Sequence, residues 1–98
     1  MQNIIYKYEL PVKNEFTLKM TNGKILSLQE QFDRPNIWVL EDTNAPEVER
    51  HFICQMTGHE FETNDNATYQ YIGSVQMGHG SIMGVLVAHY FEVFPNAV

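Results

Sequence analysis

Residues 84–94, GVLVAHYFEVF, are apolar on both alternating faces of a strand. One face would carry Val85, Val87, His89, Phe91 and Val93, and the other Leu86, Ala88, Tyr90 and Phe94. A run of this kind reads as a strand covered on both sides, at the centre of a sheet or of a subunit contact. Just upstream, residues from about Tyr69 to Met77 predict another strand. It leads through Gly78, His79, Gly80, Ser81, Ile82 and Met83 into the first, so the two should form a hairpin with a glycine-rich tip.

Further upstream the alternation is cleaner, as in strands with one wet face. Phe52, Cys54 and Met56 mark the buried face of a strand over about His51 to Thr57, followed by a turn-rich connection from Gly58-His59 to Asn64-Asp65-Asn66. Residues 42–49, DTNAPEVE, read as a surface loop with one helical turn after Pro46. A strand over Ile37 to Glu41 is preceded by the turn residues Asp33, Arg34, Pro35 and Asn36, and another runs from about Lys24 to Phe32. Between it and Phe16-Leu18-Met20 stands Thr21-Asn22-Gly23. A three-residue loop with Gly23 in the left-handed position would pair Phe16 with Leu28 and Leu18 with Leu26, which a two-residue Asn-Gly turn would not. The first strand, ended by Pro11, places Ile4, Tyr6, Tyr8 and Leu10 opposite Ile5, Lys7 and Glu9. The expectation is one all-β domain over residues 1–98. It would be a small antiparallel sheet or sandwich of six or seven strands in consecutive hairpins.

Composition bounds the partners. With 44% hydrophobic and 12% aromatic residues the chain is too apolar for disorder, and no apolar run approaches the length of a membrane span. The opening MQNIIYKYEL lacks a basic n-region and a long apolar h-region, so no secretory signal and a cytosolic location are expected. The single cysteine, Cys54, reads as core filler in a reducing compartment. A net charge of −6 argues against long nucleic acid. All four lysines and both arginines lie at or before Arg50, so an anion site must draw on the first half or on backbone N–H groups. A chain this short has difficulty covering both faces of its central strand, which predicts a homo-oligomer, a twofold dimer first. The contact would be one face of Val85 to Phe94 or the face bearing Tyr6 and Tyr8.

Each chemical motif has a plain reading beside the functional one. Gly78, His79, Gly80 and Ser81 are a turn by default and, functionally, a nest of N–H groups around a phosphate, without the lysine of a P-loop. The four histidines and Cys54 lack paired-ligand spacing: His51 and Cys54 face opposite sides of one strand, and no metal or cofactor is expected. His89 reads as a hydrogen-bonded core or interface histidine. Tyr6, Tyr8, Trp38 and Tyr71 are core and rim by default and, functionally, a platform on which a base could stack, accompanied by Lys7, Arg34 and Arg50. Ser27, Ser74 and Ser81 lie outside any nucleophile-elbow pattern, so the chain is read as non-enzymatic.

The segments Ile5-Tyr6-Lys7-Tyr8-Glu9-Leu10, Lys24-Ile25-Leu26-Ser27, Trp38, Gly58-His59, Tyr71-Ile72-Gly73 and His89-Tyr90-Phe91-Glu92 together resemble a family of small phage and prophage proteins of unknown function, over nearly the whole chain. The chain departs from it at residues 78–84, where the family's last hairpin is shorter. The resemblance carries no catalytic residues. It implies a small acidic accessory protein of an infected cell, of a kind that often blocks a host defence. Two expectations follow: a sponge that sequesters a nucleotide-derived signal, and, alternatively, a protein-binding inhibitor of a host factor. In the first, Arg34, Arg50 or Lys7 and the N–H groups near Gly78 to Ser81 would meet the phosphates. Tyr6, Tyr8, Trp38 or Tyr71 would meet the bases.

Overall fold

Seven strands, and no helix, make up the described residues, 1–78 and 85–96, of the computed structural model. They are β1 (Asn3–Glu9), β2 (Glu15–Met20), β3 (Lys24–Gln31), β4 (Arg34–Asp42), β5 (Val48–Met56), β6 (Ala67–Met77) and β7 (Leu86–Pro95). All pairings are antiparallel. Sheet 1 has the order β1-β4-β3 and sheet 2 the order β2-β5-β7-β6. The all-β antiparallel class is as expected, and β7 does lie inside a sheet. The order differs from a succession of hairpins: only β3–β4 and β6–β7 join chain neighbours within a sheet.

The connection at Thr21-Asn22-Gly23 corrects the sequence reading most. It is no hairpin turn, and Phe16 does not pair with Leu28. Phe16 lies opposite Phe52 and Leu18 opposite Arg50, because β2 belongs to sheet 2 while β3 pairs with β4 in sheet 1. Aromatic packing accounts for the choice. The Phe16 ring stacks on Phe52 at 5.4 Å and meets Tyr90 edge-on at 6.1 Å. Gly23 is needed for a close approach and not for a left-handed turn: a Cβ there would run into the carbonyl oxygen of Leu40.

Smaller differences have local causes. β4 begins at Arg34, and the β3–β4 turn is the two residues Phe32 and Asp33, with φ of 54° and 61°. That is the positive-φ pair of a type I′ hairpin, which Asn-Gly would ordinarily supply. Residues 43–47 form no helical turn, and β5 starts at Val48. In β3 the register shifts between Ile25 and Ser27, so Leu26 is left exposed while Ile25 and Leu28 both pack on the core.

The core lies between the sheets. Ile37 and Val39 of sheet 1 meet Met20, Phe52, Cys54, Val75, Met77, Ala88 and Tyr90 of sheet 2, with Leu10 at the end of β1. Each large side chain buried there contributes about 1.5–3 kcal/mol. Burial raises the thiol of Cys54 above its ordinary range, as core filler should behave. β7 is asymmetric: Ala88, Tyr90 and Glu92 are buried, while Val87, His89, Phe91 and Val93 are only half-buried. The run that decides the fold therefore has one dry face and one partly wet.

Charge is also buried between the sheets. Arg50 of β5 and Glu92 of β7 form a bidentate pair at 2.7 Å and 2.6 Å, with Arg50 only 7% exposed. The Arg50 Nη1 atom donates to the carbonyls of Thr21 and Gly23, at 3.2 Å and 2.8 Å. Glu41 of β4 accepts from the Tyr8 hydroxyl at 2.5 Å and from the Thr21 N–H at 2.8 Å. Burial works to raise the Glu41 pKa, but these hydrogen bonds and the Arg50 charge outweigh it and hold the carboxyl below its usual range. Burial, then the bond to Glu41, pushes the Tyr8 phenol well above its ordinary value. Four strands, β1, β4, β5 and β7, and the β2–β3 crossover are thus tied through two carboxylates and one guanidinium.

Candidate functional site

The outer face of sheet 2 is ordered by cross-strand rows. Thr17, His51, Val93 and Tyr69 stand in one row across β2, β5, β7 and β6. Glu15, Ile53, Phe91 and Tyr71 form the next, and Gln55, His89 and Ser74 the one after. Residues 57–66 cover part of this face. Gly58, at φ 87°, makes the left-handed step that a turn after β5 requires. The loop then lays Phe61 against Phe91 at 6.1 Å, and its Asn64 N–H donates to the Tyr69 hydroxyl at 2.9 Å. Asn66 donates its N–H to the Asn64 side chain, and Asn96 ties the loop end to β7 through Asn66 and Asp65.

Between this loop and the strands lies an open groove of about 1110 Å³. Its charged lining is Glu15 and Glu62, with no lysine or arginine; Thr17, Asn64 and the exposed His51 add hydrogen-bonding groups, and Ile53 and Val93 an apolar floor. Such a surface suits an extended segment that is cationic or rich in donors.

Beside the groove His89 is held at both ring nitrogens. Thr57 Oγ1 lies 2.6 Å from Nε2 and the Tyr71 hydroxyl 3.0 Å from Nδ1. His89 is hydrogen-bonded as expected but stands half-buried on the outer face and not in the core, and its hydroxyl–imidazole contact was not suggested by sequence spacing, since Thr57 follows β5 and His89 lies within β7. The group behind the ring is a tyrosine hydroxyl, where an activating triad would place a carboxylate.

The other residues expected to form a site do not converge. Tyr6 and Tyr8 share the inward-facing side of β1, their rings edge-to-face at 6.4 Å, with the Tyr8 hydroxyl committed to Glu41. Lys7 and Trp38 are paired on the opposite face of sheet 1, where Lys7 Nζ donates to Gln31 at 2.6 Å. Tyr71 is on the outer face of sheet 2. Arg50, expected to accompany the stacking platform and meet a phosphate, is instead buried against Glu92. Arg34 does come near Gly78, through its neighbour: the Asp33 carboxylate accepts the Gly78 N–H at 2.8 Å, while Arg34 itself pairs with Glu9 at 3.2 Å. That N–H already holds an anion. His79, Gly80 and Ser81 lie outside the described residues.

Sequence reasoning missed Glu92 and Glu41 as buried carboxylates, and Glu15, His51, Glu62 and Asn64 as a groove. A signal existed for the first: Glu92 shares strand parity with Ala88 and Tyr90, and Arg50 with Phe52 and Cys54. Opposite charges at inward positions of two strands predict a pair.

A protein-family profile described as "Domain of unknown function (DUF7352)" matches residues 1–97. No curated protein and no solved structure matches the chain.

Proposed function

Since the chain belongs to the DUF7352 family, a domain of unknown function that carries no residue roles with it, we propose from its own geometry that it is a non-enzymatic binding protein whose partner is a basic polypeptide segment. The observation that carries this is the groove on sheet 2, lined by Glu15 and Glu62 and by no lysine or arginine. In a chain of net charge −6 such a groove steers cations and repels phosphates. Inhibition of a host factor, by covering a basic surface, is the form of this function that fits a small acidic accessory protein.

The nucleotide-sponge reading has less support. Its cations are engaged within the fold: Arg50 by Glu92, Arg34 by Glu9, and Lys7 by Gln31. Its best remaining feature is the closeness of Gly78 to the Arg34 turn.

A thermal-shift series separates the two. An extended Lys/Arg-rich peptide at about a hundred times its dissociation constant stabilises the fold by about 2.7 kcal/mol. That shift falls with salt and with Glu15→Gln plus Glu62→Gln, while mononucleotides and cyclic oligonucleotides give none. A nucleotide shift abolished by Arg34→Ala, with no response to basic peptides, would overturn the proposal in favour of the sponge.

A further inference from the structure

β1 is an edge strand of sheet 1, paired along all seven residues with β4 and with no register shift. Its other side is a regular row of backbone donors and acceptors, the template that proteins ordinarily guard with a protruding charge, a proline or a bulge. None of these guards stands here. The one lysine of the strand, Lys7, is drawn back across its own sheet to Gln31 of β3, and Glu9 is drawn back to Arg34 of β4. The Tyr8 hydroxyl also turns inward, to Glu41. What the edge presents is main chain, Ile5 at 56% exposure and Tyr6 at 48%. Ile4 and Tyr6 share strand parity with Tyr8, which packs on the core, yet both are exposed, so sheet 2 does not roof this end of sheet 1.

We propose that this edge is closed by the β1 edge of a second copy of the chain, antiparallel and centred on Tyr6. The register is chosen by charge. Centred on Tyr6, the full strand pairs: Tyr6 faces Tyr6 of the partner subunit, Ile4 faces the partner's Tyr8, Ile5 the partner's Lys7, and Asn3 the partner's Glu9. No like charges oppose one another. Centred on Lys7, two ammonium groups would meet, which is destabilising across a ladder. The result is one continuous six-stranded sheet, β3-β4-β1 followed by the partner's β1-β4-β3. Antiparallel neighbours are related by a twofold axis normal to their sheet, so the two copies of sheet 2 lie on the same side. The groove on sheet 2 takes no part in this contact.

The test uses the whole chain. Light scattering at high micromolar concentration gives twice the 11.4 kDa chain mass, and Ile5→Lys with Tyr6→Lys returns it to 11.4 kDa with an unchanged circular dichroism spectrum and a still cooperative urea transition. Tyr6→Cys then reads the register. Directly opposed residues have Cα atoms about 4.5–5.5 Å apart, within the roughly 4.4–6.8 Å span of a disulfide. This variant therefore oxidises to a covalent dimer, while Ile5→Cys and Lys7→Cys cross-link only when mixed; Cys54, 3% exposed, does not contribute. A wild-type mass of 11.4 kDa overturns the proposal. So does a dimer that survives the paired lysines or cross-links without regard to position.

Discussion

Arg50 and His89 occupy adjacent inner strands of sheet 2 and point to opposite faces of it. Both are held by several hydrogen bonds, but to groups of different kinds. Arg50 is met by a carboxylate and two main-chain carbonyls in a space closed to water. His89 is met by two hydroxyls, each able to donate or accept, at the margin of an open groove. The inward residue has one set of partners that works in one protonation state; the outward one keeps its bonds however its proton is placed. Charge that faces inward fixes the fold, and the face with interchangeable partners is the one free to meet another molecule.

The largest effect is expected from Arg50→Ala. It leaves Glu92 buried without its partner and should cost about 3–5 kcal/mol in urea unfolding. Arg50→Met with Glu92→Leu should recover most of that loss, since an apolar pair of similar volume removes both charges. A cost near zero for the single variant would show Arg50 to be a surface cation after all. Gly23→Ala follows, at about 1–3 kcal/mol, because the crossover must move away from Leu40 to admit a methyl group.

Tyr8→Phe should cost about 1–2 kcal/mol at neutral pH, as expected for a bond to a charged group at a half-buried site. The Glu41 carboxyl is held below its usual range, so its contribution is complete above the unfolded carboxylate value of about 4.3 and is lost as pH falls through the lower folded value. The gap between wild type and Tyr8→Phe should therefore narrow in melts taken below about pH 4. The smallest effect belongs to the outer face. Thr57→Val and Tyr71→Phe should each change stability by no more than about 0.5 kcal/mol, as exposed substitutions do. A large loss there would make His89 part of the scaffold.

The alternation of Phe52, Cys54 and Met56, and the two-sided run around Tyr90, were legible because side chains in a strand have a period of two whatever the strand pairs with. Which strand pairs with which was not. Phe16 and Leu18 match Leu28 and Leu26 in a hairpin as well as they match Phe52 and Arg50 in a ladder, and only the stacking of Phe16 between Phe52 and Tyr90 decides. The groove was illegible for a related reason: Glu15 and Glu62 meet through a loop whose path depends on Phe61 finding Phe91. Arg50 and Glu92 could have been found by parity, had charge at inward positions been weighed as a pair.

The place of β7 in sheet 2 has a consequence in time. It is the last of the seven strands along the chain, and both β5 and β6 pair with it, β6 with no other strand among the described residues. While the chain is being synthesised, β1, β3 and β4 can assemble, but β6 has no ladder to join and β5 has one edge open until β7 emerges. The carboxylate of Glu92 arrives with it, so the Arg50 guanidinium must wait in water until then. Assembly should therefore be gated by a single late strand. In refolding, such long-range pairing should place the rate in the slow, roughly millisecond-to-second range of sandwich proteins, where exposed half-sheets are most open to wrong partners.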